Sequence, residues 1–95
     1  MTSIPFFPED LLEPITNLNN PSEKSFYFLD LNCAGGRVVD YVARTYPMNS
    51  LFLVLDCFFV SNPDFSTKDL LVVKILCPDG KASNVVPHLF RKVET

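Results

Sequence analysis

The sequence predicts a small α/β domain with a mostly parallel, three-stranded sheet in the order β-α-β-β-α. Three observations predict it. The runs SFYFLDL (25–31), LFLVLDCFFV (51–60) and LLVVKILC (70–77) are apolar at nearly every position, the pattern of strands covered on both faces. In RVVDYVARTY (37–46), Val38, Val39, Val42, Ala43 and Tyr46 fall at i, i+1, i+4, i+5 and i+8, one face of a helix. In SNVVPHLFRKVE (83–94), Val86, Leu89 and Phe90 share a helical face behind Ser83, a suitable N-cap.

Taken in order, residues 1–24 form a Pro-rich segment, punctuated by Pro5, Pro8, Pro14 and Pro21. PEDLLEP (8–14) suits one or two helical turns with Pro8 at the first position and acids in the first turn, limited by Pro14. NLNNPSEK (17–24) is a polar loop. Residues 25–95 form the single α/β domain. After the first strand, NCAGG (32–36) turns the chain into the helix, where Asp40 and Arg44 have favourable i,i+4 spacing and order. Pro47 ends that helix. The second strand closes on SNPDFSTKD (61–69), the third on PDGKAS (78–83), with Asp79-Gly80 as its tight element. Pro87 confines the last helix to its second half.

Ninety-five residues make at most one domain with a modest core. A hydrophobic content of 47% argues against disorder and leaves apolar surface for a partner. Net charge is −3 and the eight basic residues are scattered, which disfavours free-standing capture of nucleic acid. A local basic face remains available around Arg37, Arg44, Lys74, Arg91 and Lys92. Cys33, Cys57 and Cys77 are too few and too widely spaced for a disulfide framework or a zinc motif, and read as core thiols in a reducing compartment. No secretory signal and no membrane-length apolar run is visible, so the expected setting is intracellular, cytoplasmic or nuclear. His88 reads as a helix-surface residue.

LDLNCAGG (29–36) resembles the first motif of class I methyltransferases, D-x-G-x-G-x-G after an apolar strand. Asp30, Asn32, Ala34 and Gly36 stand at its four key positions, with Gly35 beside them. The resemblance implies a truncated Rossmann-like core that binds S-adenosylmethionine. Asp30, Asn32, Ala34, Gly35 and Gly36 would line the cofactor, and Asp56, ending the next strand, would hold its ribose. The second half is similar to the FtsJ/RrmJ family of RNA ribose 2′-O-methyltransferases, in which an apolar strand carries a catalytic lysine. Lys74, in VVKIL, falls on that position, where it would help the ribose hydroxyl lose its proton. The chain departs from the family in three ways. Asn32 and Ala34 replace glycines, only 17 residues separate Asp56 from Lys74, and the strands carrying the remaining catalytic residues are missing.

The resemblance thus implies a shortened methyltransferase-like protein with reduced or no independent catalysis. Two alternatives stand beside it. One is a non-catalytic interaction or regulatory module that completes its sheet with a protein partner or a second copy, any RNA contact running through the partner. The other is a small β-barrel of the oligonucleotide-binding type, with 36–45 as a strand.

Overall fold

The computed structural model describes residues 6–15, 24–61 and 69–93. They form seven strands: β1 (Leu11–Pro14), β2 (Ser25–Ala34), β3 (Arg37–Pro47), β4 (Phe52–Ser61), β5 (Asp69–Leu76), β6 (Ala82–Val85) and β7 (Phe90–Lys92). One 3₁₀ turn, Pro87–Leu89, separates the last two strands. The described residues contain no α-helix, and no helix among them is long and apolar enough to cross a membrane.

The expected α/β sheet is therefore replaced by a mixed, largely antiparallel one. β2 pairs with β3, β4 with β5, and β5 with β6, all antiparallel. β1 lies between β4 and β7, again antiparallel to both. The single parallel contact is Arg37 opposite Ser61, where β3 meets β4; there the Ser61 N–H donates to the Gly36 carbonyl at 2.7 Å.

Two expected helices are corrected, each for an identifiable reason. Residues 37–46 form β3 because the turn before them is a hairpin turn. Gly35 and Gly36 both have positive φ, 62° and 75°, the requirement of a two-residue type I′ loop, whose twist matches that of paired strands. Ala34 then faces Arg37, and the ladder runs back to Ser25 opposite Pro47. The β-branched and aromatic residues of 38–46 suit that ladder better than a helix. Residues 83–94 likewise divide into β6, the 3₁₀ turn and β7. Pro87 cannot donate a backbone hydrogen bond, so it opens the short turn and does not sit inside a longer helix. PEDLLEP (8–14) is likewise not helical: Leu11–Pro14 is strand β1.

The three apolar runs are strands; β5 is covered on both faces at the adjacent, fully buried Val72 and Val73, but β2 is not. Along β2, Phe26 and Phe28 are buried while Tyr27 between them is exposed. The buried side builds an aromatic core. Phe52 packs edge-on against Phe28 and Phe90, with ring centroids 6.0 Å and 5.4 Å away, and Tyr46 stacks on Phe28 at 5.7 Å. Leu12, Val54, Val73, Ile75, Cys77 and Val85 complete this cluster from β1, β4, β5, the following turn and β6. All seven strands thus contribute to one cluster built around these rings.

Truncating its centre, Phe52→Ala, removes edge-to-face contacts and opens a cavity. The expected loss is about 3–5 kcal/mol of unfolding free energy, measured by urea denaturation. Phe7→Ala, at a ring that is 63% exposed, is expected to change the midpoint little.

Candidate functional site

The β2–β3 hairpin is the longest element of the fold, and one carboxylate joins it to β6. Asp30 points from β2 toward the unpaired side of β6. Its Oδ2 accepts from the Arg44 Nε–H at 2.8 Å, and its Oδ1 accepts from the Asn84 backbone N–H at 2.9 Å. Asn84 returns the contact: its Nδ2 donates to the Leu31 carbonyl at 3.0 Å. No backbone ladder joins β2 to β6 among the described residues, so these side-chain bonds close the seam between the two strands. The Asp30 bond also holds the Arg44 guanidinium proton more tightly than usual.

Two clefts flank this clasp along the seam. One, of about 310 Å³, is lined by Asp30, Leu31, Asn32, Asp40, Val42, Ala82 and Asn84. The other, also about 310 Å³, is apolar and lies where β6 gives way to the 3₁₀ turn, between Tyr27, Leu29 and Leu31 on one side and Val86, His88 and Leu89 on the other. His88 is exposed at its rim, on the 3₁₀ turn and not on a helix.

Past the clasp the hairpin becomes an arm. From Val39 to Ala43 every side chain of β3 is exposed. Val39, Tyr41 and Val42 are 50%, 60% and 57% exposed. Tyr41 and Val42 are adjacent in a strand and so project from opposite faces, which leaves apolar groups facing outward on both sides of the arm.

The residues expected to form a cofactor site are dispersed over this architecture. Asp30, Asn32, Ala34, Gly35 and Gly36 follow one another along the hairpin, with Asp30 engaged in the clasp and the glycines in the turn. No helix begins after Gly36, so the backbone N–H groups that a helix start would aim at a cofactor are spent on the β2–β3 ladder. Asp56 and Lys74 are instead direct cross-strand partners on β4 and β5, both exposed. Asp56 Oδ1 accepts from the Cys57 backbone N–H at 2.8 Å, at the bulge where the β4 register shifts. β5 is paired on both sides, so Lys74 sits within the sheet and not at its edge.

The thiols are free, Cys77 in the core and Cys33 and Cys57 half-buried. Partial burial, with Asp30 near Cys33 and with Asp56 and Asp10 near Cys57, raises both of those thiol pKa values. That keeps them protonated and poorly nucleophilic. Among the described residues no group of three or more His, Cys, Asp or Glu is placed to hold a metal ion.

Sequence reasoning missed the clasp, and it offered the arm's second strand only in the β-barrel alternative, with 36–45 as a strand. The signal for the arm was present as two apolar runs of similar length joined by Gly-Gly, a hairpin signature. The Asp30–Asn84 contact spans 54 positions, and no local pattern announces it. No protein-family model matches the chain, and comparison with curated proteins and with solved structures finds no match.

Two outcomes follow from this geometry. Asp30→Ala strands the part-buried Asn84 N–H and frees Arg44, at an expected cost of about 1–3 kcal/mol. The amide exchange that it accelerates should map to the β2–β6 seam and not to β4–β5. The second concerns Asp79, whose carboxylate accepts from the Tyr46 hydroxyl at 3.1 Å and from the Lys81 N–H at 3.2 Å. Slight desolvation alone would raise its pKa, but the Lys81 N–H, the Tyr46 hydroxyl and the Lys81 charge together hold it below the usual carboxylate value. A depressed folded pKa contributes stability above the unfolded value, near 3.9. That contribution is lost as pH falls from there through the folded value. Tyr46→Phe should therefore shallow the acid limb of a stability–pH curve below about pH 4.

Proposed function

We propose that this chain is a non-catalytic protein-interaction module whose β2–β3 arm is the contact surface. One observation carries the reading: a paired, two-stranded arm exposes Val39, Tyr41 and Val42 to solvent with apolar groups on both faces. Three apolar side chains half or more exposed within four residues of one strand are the clustered kind of apolar surface that marks interaction sites. The dispersed placement of Asp30, Asp56 and Lys74 favours this reading over one centred on S-adenosylmethionine. The net charge of −3 leaves any RNA contact to the partner. Three free cysteines suit a reducing, intracellular setting in cytoplasm or nucleus.

The test combines a titration with placed crosslinkers. Isothermal titration with S-adenosylmethionine is expected to show no saturable heat. A photo-crosslinking side chain at Tyr41 is expected to give discrete adducts that the same group at exposed Lys81 does not. Saturable cofactor binding that Asp56→Ala abolishes, or adducts that form equally from both positions, would overturn the reading.

A further inference from the structure

We infer that the arm's partner is a second copy of the chain, paired β3 to β3 antiparallel about a two-fold axis at Val42. The inference rests on reading the arm as an interaction surface. It adds the partner and the register.

β3 has an open edge. Its full ladder is with β2; on its other side, among the described residues, the only bridge is Arg37 to Ser61 at its first position. Two independent observations show which peptide groups face that edge. The Leu31 carbonyl is bonded to Asn84, on the side of β2 away from β3. Leu31 and its partner Tyr41 are therefore a non-hydrogen-bonded pair, and Tyr41 directs its own N–H and C=O outward. Consistently, the Tyr41 N–H finds no partner on β2 and is taken by the Asp40 side chain, Oδ1 at 2.7 Å. By strand alternation Ala43 and Thr45 face outward as well. The bulge between Asn32 and Cys33, which leaves Val39 without a partner, ends this straight stretch.

Charge then selects the register. With the axis at Val42, Asp40 lies opposite Arg44 of the second copy, and Arg44 opposite its Asp40. Moving the axis to Asp40 or to Arg44 sets like charges directly against each other, which is destabilising. Moving it to Tyr41 or Ala43 sets both charges against apolar residues. In the selected register the outward peptide groups of Tyr41 meet those of Ala43 of the copy, each pair exchanging both N–H···O bonds. The large Tyr41 side chain lies beside the small Ala43, and Val42 meets Val42 at the closely spaced, non-hydrogen-bonded position. Arg44 uses only Nε on Asp30, which leaves the rest of its fork for the incoming carboxylate. Asp40, released from the Tyr41 N–H by the carbonyl of Ala43 in the copy, becomes that carboxylate. An isologous interface requires this self-complementarity, and Val-Asp-Tyr-Val-Ala-Arg supplies it around one residue.

Sedimentation equilibrium across a concentration series tests the inference. The wild-type chain is expected to show a monomer–dimer equilibrium. Asp40→Arg, which turns two attractive pairs into repulsive ones, should raise the dissociation constant about tenfold or more, since like charges directly opposite each other are destabilising. Ala43→Pro removes an outward N–H without touching the β2 ladder and should leave a folded monomer by circular dichroism. Val42→Cys should form an intermolecular disulfide under mild oxidation, because a non-hydrogen-bonded pair brings the Cα atoms to about 4.5 Å; Lys81→Cys should not. A strict monomer at every concentration overturns the inference, as does a dimer indifferent to Asp40→Arg that does not crosslink through Val42→Cys. If Tyr41 crosslinks only to other proteins while the chain stays monomeric, the second copy fails and the interaction-module reading stands. If neither dimer nor adduct forms, both fail.

Discussion

A single carboxylate joins the β2–β3 hairpin to β6 at a place where backbone pairing stops. β2 and β6 are adjacent edges, and a ladder between them would have closed the sheet on that side. Asp30 and Asn84 bond across the gap through side chains instead. Such a closure differs from a ladder in a physically important way. A ladder is cooperative along its length, whereas the clasp acts at one point and leaves open clefts on both sides of it. The ion pair with Arg44 is only part-buried, so its Coulombic contribution is modest. Its greater effect is geometric, because it ties the two strands of the hairpin to each other and to β6 through the same two oxygens.

That point attachment explains how one hairpin serves both core and surface. On the near side of the clasp, Phe26, Phe28 and Tyr46 join the aromatic cluster and are held by packing. On the far side nothing among the described residues covers the strands, and Val39, Tyr41 and Val42 face solvent. The transition falls within a few residues of Asp30 and its cross-strand partner Val42. Dispersion and burial hold the near half, while the ladder, the Gly35–Gly36 turn and the bond from the Ser61 N–H to the Gly36 carbonyl hold the far half.

Much of the strand content was legible in the sequence, because apolar runs at 25–31, 51–60 and 70–77 report burial whatever the fold. Their pairing was not. Continuous apolar character predicts cover on both faces, as in a parallel sheet; that holds at Val72 and Val73 of β5 but not in β2, where the outer residue Tyr27 is exposed. The error at 37–46 has the same root. Val38, Val39, Val42, Ala43 and Tyr46 satisfy a helical period only because this strand carries apolar residues on both of its faces, which breaks the alternation that identifies a half-buried strand. Apolar residues exposed on both faces are thus what disguised the element. Asp30, expected to line a cofactor, instead bonds Arg44 and Asn84, which lie 14 and 54 positions away. Only tertiary structure brings them to it.

Open edges elsewhere in the molecule are protected in a way that clarifies the state of the arm. Asp56 on β4 and Asp40 on β3 each turn a carboxylate back onto the next residue's N–H. Both satisfy a donor that no neighbouring strand takes, and both place negative charge where another strand would otherwise add. A proline would block such an edge permanently. A carboxylate blocks it conditionally, because a strand offering both a carbonyl for the N–H and a cation for the acid can displace it with no group left unpaired. At Cys57 the register shift at Asp56 and the half-buried thiol leave no straight run for such a strand. At Tyr41 the run is straight, the flanking side chains are apolar, and the cation that would release Asp40 is encoded four residues further along the same strand. The protection on β4 is structural, and under the proposed β3–β3 pairing that on β3 is a latch that Arg44 of a second copy would release.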